Sequence, residues 1–213
     1  MKRRLPALLW GVGAAAGIVG AVAPWVPHRA AGLRISAFDL FEVVKYLPGV
    51  REGAVPLLRE AFLLPLALCA VLLAALPAVM ACPGRVARWL FPVVGALIAL
   101  TAIPPYPQVL TAYRDPEYRG QLVLSVGACL LAGLSPLARR VPRRVVGGLA
   151  LLAGIAGLVL PLLQFWRVRA LVDVLYNAPT GIGWGCIAYV LGLCAVLAAG
   201  VRYLSAPDYE CQE

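Results

Sequence analysis

The residues best suited to chemistry lie in one polar stretch, residues 25–60, between two apolar runs. Acids and bases recur closely there: Asp39, Glu42, Lys45, Arg51, Glu52, Arg59 and Glu60. Carboxylates at such spacings can act as general acids and bases, here on a lipid headgroup. Mixed charges beside Phe38 and Phe41 also suit a docking surface, so these nine residues form the candidate partner or lipid surface.

Other catalytic arrangements have little support. His28, Ser36 and Asp39 are the residue types of a hydrolytic triad, but three common residues in one loop are weak evidence. His28 is the only histidine, so a bis-histidine haem is excluded and a zinc hydrolase motif is missing. We therefore predict no catalytic residue, metal or cofactor.

Three cysteines fall in the middle of apolar runs, at Cys69, Cys129 and Cys194. Three thiolates at one depth could bind a soft metal such as Cu(I). Cysteine is also a small apolar residue, and neither methionine nor histidine partners accompany these three. We interpret them as packing residues. A disulfide-exchange enzyme is disfavoured because the chain has no Cys-x-x-Cys motif.

The composition shows what must position these residues. Of 213 residues, 62% are hydrophobic and only 14% are charged, with the charges between apolar runs. This pattern is typical of a polytopic membrane protein. The net charge of +9 comes from basic residues at the ends of apolar runs, so it indicates membrane topology rather than nucleic-acid binding.

The apolar runs predict an all-α protein with six transmembrane helices in a single domain, residues 1–213. The predicted spans are residues 5–24, 61–81, 89–104, 121–137, 145–166 and 184–203. They form three hairpins, at about 5–81, 89–137 and 145–203, followed by a cytoplasmic tail, 204–213. The six spans contain no Asp, Glu, Lys or His, and their one arginine is Arg202, near the end of the sixth span. This argues against a proton-coupled transporter, which usually needs ionisable residues inside the membrane.

A short pattern, Ala-x-Ile-x5-Pro, occurs near the ends of the odd-numbered spans, at residues 16–24, 96–104 and 153–161. It predicts an internal repeat of hairpins, with each proline loosening or ending its helix. Small residues in the first and fifth spans predict close helix packing, at Gly13, Gly17, Gly20, Gly154 and Gly157. We expect these two spans to take equivalent central places.

Charge asymmetry predicts the orientation. Ten basic and three acidic residues fall on the side of the termini, against nine basic and seven acidic residues on the other. Both termini are therefore predicted to be cytoplasmic in a cell (inner) membrane. In the first outward loop, Ser36 and Asp39 predict the start of a short amphipathic interfacial helix. A second surface helix is predicted at residues 170–176.

These features favour a non-enzymatic membrane subunit or scaffold that docks a protein partner or lipid through its outward loops. One alternative is a transporter or channel for a small neutral or lipophilic solute, using a cavity between the first, third and fifth spans. Another is a membrane enzyme acting on lipid through its outward acids.

Overall fold

The computed structural model describes residues 5–205, and in that part of the chain it is all-α apart from one short antiparallel strand pair. Four helices are long and apolar enough to cross a membrane: α1 (Leu5–Val22), α7 (Pro116–Leu134, continued by a 3-10 turn at Ser135–Arg140), α8 (Arg143–Tyr176) and α9 (Trp184–Ser205). The shorter apolar helices are α4 (Leu64–Ala74), α5 (Leu76–Val79) and α6 (Arg85–Leu100). The expectation of an all-α protein with membrane-spanning helices is supported.

Proline accounts for the main differences from the predicted spans. The second span is not one helix, because the chain breaks at Ala75, two residues before Pro77, whose nitrogen cannot donate a helical hydrogen bond. The third span begins and ends about four residues early, as α6. Pro161 neither ends α8 nor separates it from the predicted surface helix, which is the last part of the same 34-residue helix. Asn177, in the left-handed conformation at φ 47°, ends it.

Helices α1 and α9 run antiparallel, and the helical bundle has two ends. Gly20 of α1 lies beside Gly185 of α9, and Gly13 lies beside Gly192. We call the end that carries residues 23–63, 101–115 and 177–183 the loop end. The opposite end carries residues 80–84 and 135–142 with the last turns of α9, and we call it the arginine end. Most of the tail predicted at 204–213 lies outside the described residues.

Helix α1 lies between α9, its most extensive partner, and α4. The contact with α9 is made by backbone, since a Cβ at Gly13 would lie 2.5 Å from the Gly192 carbonyl oxygen. Such close approach supplies the dispersion energy that holds helices together in lipid. Helix α8 packs mainly on α9 and less on α4. The helices of the first and fifth predicted spans therefore pack on the same two neighbours, α9 and α4, and their equivalence within a repeat stays a prediction.

Side chains from neighbouring helices satisfy the carbonyl groups around the break between α4 and α5. The Trp10 Nε1 donates to the Leu72 carbonyl oxygen at 2.6 Å, and the Ser135 hydroxyl donates to that of Ala74 at 2.9 Å. The Tyr203 hydroxyl donates to that of Ala78 at 3.1 Å. An unpaired buried carbonyl is costly, so these bonds allow the helix to break inside the bundle.

The loop end is a folded layer. Strands β1 (Pro24–Val26) and β2 (Ile35–Ser36) pair antiparallel, and α2 (Ala37–Val43), a 3-10 turn at Val44–Tyr46 and α3 (Pro48–Arg51) follow. The predicted start of α2 is confirmed, because Ser36 and Asp39 form both halves of a capping box. Leu40, Phe41 and Val44 are buried beneath the layer.

Candidate functional site

The candidate site is a charged cluster at the loop end, where the first two loops meet. The Lys45 ammonium lies 2.6 Å from a Glu42 carboxylate oxygen and 3.0 Å from a Glu117 carboxylate oxygen. A guanidinium nitrogen of Arg59 lies 3.6 Å from the same Glu117 oxygen, and another donates to the Glu117 backbone carbonyl. Glu117 opens α7, so the cluster ties α2 and Arg59 to the second loop.

Two of the cluster's groups are mostly covered and two are open. The side chains of Lys45 and Arg59 are 21% and 16% exposed, whereas those of Glu42 and Glu117 are 44% and 45% exposed. Arg59 also stacks over the Phe41 ring, 4.6 Å from its centre. Burial on its own lowers the pKa of Lys45, but hydrogen bonds to Glu42 and Glu117 outweigh it, so its pKa lies above the ordinary value. Lys45 therefore stays charged at physiological pH.

The structure brings together only part of the predicted surface. Glu42, Lys45 and Arg59 meet in the cluster. Asp39 is engaged in the capping box with Ser36, and Phe41 is 1% exposed, so its ring is not available at the surface. The others lie around the cluster: Phe38 is half-buried, Arg51 and Glu52 are exposed at the end of α3, and Glu60 packs against Gly120.

Glu117 was missed by sequence reasoning. It lies 72 positions from Lys45, so no local spacing relates the two residues. The one available signal was its position as an acid in the first turn of a helix that begins with Pro116, where a carboxylate is favoured. Tyr118 was also missed, although its ring centre lies 5.9 Å from the Lys45 ammonium.

A second set of contacts ties the third loop to the first. The Tyr176 hydroxyl donates to the Leu33 carbonyl oxygen at 2.7 Å, and the Gly183 N–H donates to that of Trp25 at 2.7 Å. Within the third loop, Asp173 accepts from Thr180 N–H at 2.7 Å. All three loops are therefore joined by side-chain and backbone hydrogen bonds into one layer.

The residues considered for hydrolysis do not form a triad. The Ser36 hydroxyl donates to Asp39 at 2.7 Å, whereas the His28 Nδ1 accepts from the Ala30 N–H at 3.1 Å. The His28 ring packs beside Tyr176, with ring centres 5.1 Å apart. No hydrogen bond joins His28 to Ser36 in this part of the structure, so the serine has no base to activate it.

The three mid-span cysteines lie in different surroundings. Cys69 is buried against Gly17, the Cys129 thiol lies 3.6 Å from the Ala96 carbonyl oxygen, and Cys194 is exposed on α9. Among residues 5–205, no group of three or more His, Cys, Asp or Glu side chains is arranged to hold a metal ion.

The predicted packing glycines all lie at helix contacts. Gly13, Gly17 and Gly20 of α1 face α9 and α4, where a Cβ at Gly20 would lie 2.5 Å from the Tyr189 nitrogen. A Cβ at Gly154 would lie 2.8 Å from Leu197, and one at Gly157 would overlap Leu68. These contacts leave no room for solute between α1 and α9.

A shallow groove beside the loop end lies along α7. It is lined by Arg114, Pro116, Arg119, Gly120, Val123 and Leu124. Arg114 and Arg119 lie toward the loop end, whereas Val123 and Leu124 lie further along α7. The groove therefore suits an amphipathic molecule better than a polar solute.

No protein-family model, curated protein or solved structure matches the chain. The function therefore has to be argued from the residues and their arrangement.

Proposed function

We propose that the protein is a non-enzymatic integral membrane subunit or scaffold, which docks a protein partner, or lipid, through its loop end. The observation that carries the proposal is the joining of three separate loops into one hydrogen-bonded layer by the Glu42–Lys45–Glu117–Arg59 cluster and the Tyr176 and Gly183 contacts. A layer held in one conformation loses little entropy when it binds a partner.

The layer presents large apolar side chains outward. Tyr46 is 72% exposed, and Tyr106 and Val174 are each 80% exposed. Tyrosine contributes a rigid amphipathic contact and is enriched at protein interfaces. Val174 lies near the end of α8, which is about 51 Å long at 1.5 Å per residue, against a hydrocarbon core of about 30 Å. The end of α8 therefore extends beyond the lipid, where an exposed valine suits a protein contact.

Six membrane crossings are part of the proposal. Helix α6 and the α4–α5 pair each cover about 16 residues, or roughly 24 Å, which is shorter than the hydrocarbon core. Local thinning of the bilayer can accommodate a short helix. Six crossings place the arginine end and both termini on one side, and its many arginines favour the cytoplasm.

One feature weighs against that orientation. Cys82, in the loop between α5 and α6 at the arginine end, is disulfide-bonded, and disulfides are rare in the cytosol. The orientation is testable with single cysteines at Tyr46 and Gly84, exposed at the loop end and the arginine end, in a background without native cysteines. We expect a membrane-impermeant maleimide to label Y46C in intact cells and G84C only after lysis. The reverse labelling pattern would show that the loop end faces the cytoplasm, and the docking proposal would still hold.

Docking is tested by a photo-reactive amino acid placed at Tyr46, Tyr106 or Val174, with Leu152 as the matched control. Leu152 is 68% exposed on the apolar part of α8, so it should face lipid. We expect the three loop-end positions to cross-link to the same polypeptide, which should also co-extract in native mass spectrometry. The control should give no protein adduct. No adduct at any loop-end position would overturn partner docking.

The transport alternative has no observation in its favour. It needed a cavity between the first, third and fifth spans, whereas α4 packs against the helices of all three, α1, α6 and α8. The lipid-enzyme alternative needed converging acids, whereas Asp39 is held by Ser36 and Glu42 by Lys45. Solute flux into liposomes that contain the purified protein alone would restore the transport reading.

A further inference from the structure

Within residues 5–205, the two ends of the molecule carry different charged side chains. Seven arginines lie at the arginine end: Arg85, Arg88, Arg139, Arg140, Arg143, Arg144 and Arg202. Every aspartate and glutamate in residues 5–205 lies at the loop end or in the nearby helix turns: Asp39, Glu42, Glu52, Glu60, Asp115, Glu117 and Asp173. These seven arginines therefore lie at the end opposite the seven carboxylates.

Contacts between four segments bring these arginines to one rim. The 3-10 turn at Ser135–Arg140 packs against α5 and α6. Arg143, at the start of α8, donates to the Tyr203 carbonyl oxygen at 3.1 Å and stacks over its ring at 4.3 Å. Arg88 donates to the Pro83 carbonyl oxygen at 3.1 Å, and all of the arginines except Arg143 are exposed. The rim thus concentrates positive charge on a fixed frame.

An exposed apolar stripe leads away from this rim along α6. It consists of Val86, Trp89, Leu90, Val93 and Leu97, which are between 51% and 76% exposed. From Val86 to Leu97 the stripe rises about 17 Å, close to half of a hydrocarbon core about 30 Å thick. Arg85 and Arg88 lie at its charged end. A ligand that fits both parts has an anionic head and an apolar tail about one leaflet long.

We propose that the arginine end binds anionic phospholipid, with the phosphate at Arg85 and Arg88 and an acyl chain along the α6 stripe. The positive charge of the arginines favours an anionic ligand. The adjoining apolar stripe of α6 favours a lipid over a soluble polyanion, because a soluble polyanion has no acyl chain to cover it. Each arginine near an anionic membrane surface contributes about fivefold in affinity. This site lies at the end opposite the docking layer, so it does not depend on the proposed function.

Trp89, 63% exposed in the stripe, provides the probe. The other exposed tryptophans, Trp166 and Trp184, lie toward the loop end, and Trp10 and Trp25 are buried. In the W166F/W184F variant, Trp89 is the one exposed tryptophan. This variant is reconstituted in vesicles of phosphatidylcholine and phosphatidylglycerol, with the acyl chains of one or the other lipid brominated. Quenching then reports which lipid lies against Trp89.

We expect brominated phosphatidylglycerol to quench Trp89 at least threefold more strongly, per mole of brominated lipid, than brominated phosphatidylcholine. R85Q/R88Q in this background should remove most of that preference, whereas R85K/R88K, which keeps the charge, should retain it. The matched control R29Q/R34Q, which removes two exposed arginines at the loop end, should leave it unchanged. Equal quenching by the two lipids would overturn the proposal, as would equal losses in R85Q/R88Q and R29Q/R34Q. If the arginines bound an acidic protein instead of lipid, the two brominated lipids would quench Trp89 equally.

Discussion

The hydroxyl of Tyr189, on α9, donates a hydrogen bond to the carbonyl oxygen of Gly157, on α8. In a regular helix that oxygen would accept from the N–H four residues later, but the residue there is Pro161, which has none. Tyr189 therefore supplies the donor that the proline lacks, and both groups are buried between the helices. This bond explains how α8 continues through a proline for 34 residues.

Removing that hydroxyl should destabilise the protein. We expect Tyr189→Phe to lower the free energy of unfolding by about 1 kcal/mol, because the Gly157 carbonyl is left without a donor in an apolar interior. In a Pro161→Ala background the alanine N–H can bond Gly157, so Tyr189→Phe should cost clearly less. Unfolding in a mixed-micelle denaturant titration measures both. An equal cost in the two backgrounds would contradict the link between Tyr189 and Pro161.

The contact between α1 and α9 should not tolerate a methyl group. Gly13→Ala should lower the free energy of unfolding by about 1–3 kcal/mol, since the new Cβ would lie 2.5 Å from the Gly192 carbonyl oxygen and the helices must separate. The control is Gly127→Ala in α7, where a Cβ meets nothing within 4 Å. Greater helix propensity should stabilise that variant by up to about 1 kcal/mol. The same denaturant titration tests both, and effects of the same sign would count against backbone packing at Gly13.

The charged cluster should hold the first two loops together. Glu117→Gln removes the anion shared by Lys45 and Arg59, and we expect faster amide hydrogen exchange over residues 37–46. The free energy of local opening of this segment should fall by about 1 kcal/mol or less, because the ion pairs are partly exposed. The difference from the unchanged protein should be smaller in 1 M salt, which screens the pairs. The exposed Glu52→Gln is the control. Unchanged exchange in Glu117→Gln would show that α2 is held by its buried apolar face alone.

Ser135 should be needed where the second apolar segment breaks. We expect Ser135→Ala to lower the free energy of unfolding by about 1 kcal/mol, because the Ala74 carbonyl oxygen loses its donor in a buried site. Ser205, whose hydroxyl bonds Val201 at an exposed position, provides the control Ser205→Ala, with little expected effect. Similar effects of the two changes would indicate that water can satisfy the Ala74 carbonyl.

Much of the architecture could be predicted from the residues. Long apolar runs bounded by arginine and proline predict membrane helices, because lipid requires both apolar side chains and internal hydrogen bonds. Ser36 and Asp39 predict the start of α2, because a capping box involves only neighbouring residues. The small residues of α1, such as Gly13 and Gly20, predict close helix contact, although they do not identify the partner helix. All three predictions depend on local physics, which one chain segment determines.

What the tertiary structure decided depends on residues distant in sequence. Glu117 joins Lys45 only because α7 begins beside the 3-10 turn that follows α2. Phe41 is buried partly because Arg59, 18 residues later in the sequence, stacks over its ring. Proline alone could not predict whether a helix ends: Pro77 accompanies a break, whereas Pro161 is accommodated because Tyr189, 28 residues later, happens to face Gly157. The physical reason is that an unsatisfied carbonyl is costly in an apolar interior, and only the packed neighbours determine whether it has a donor.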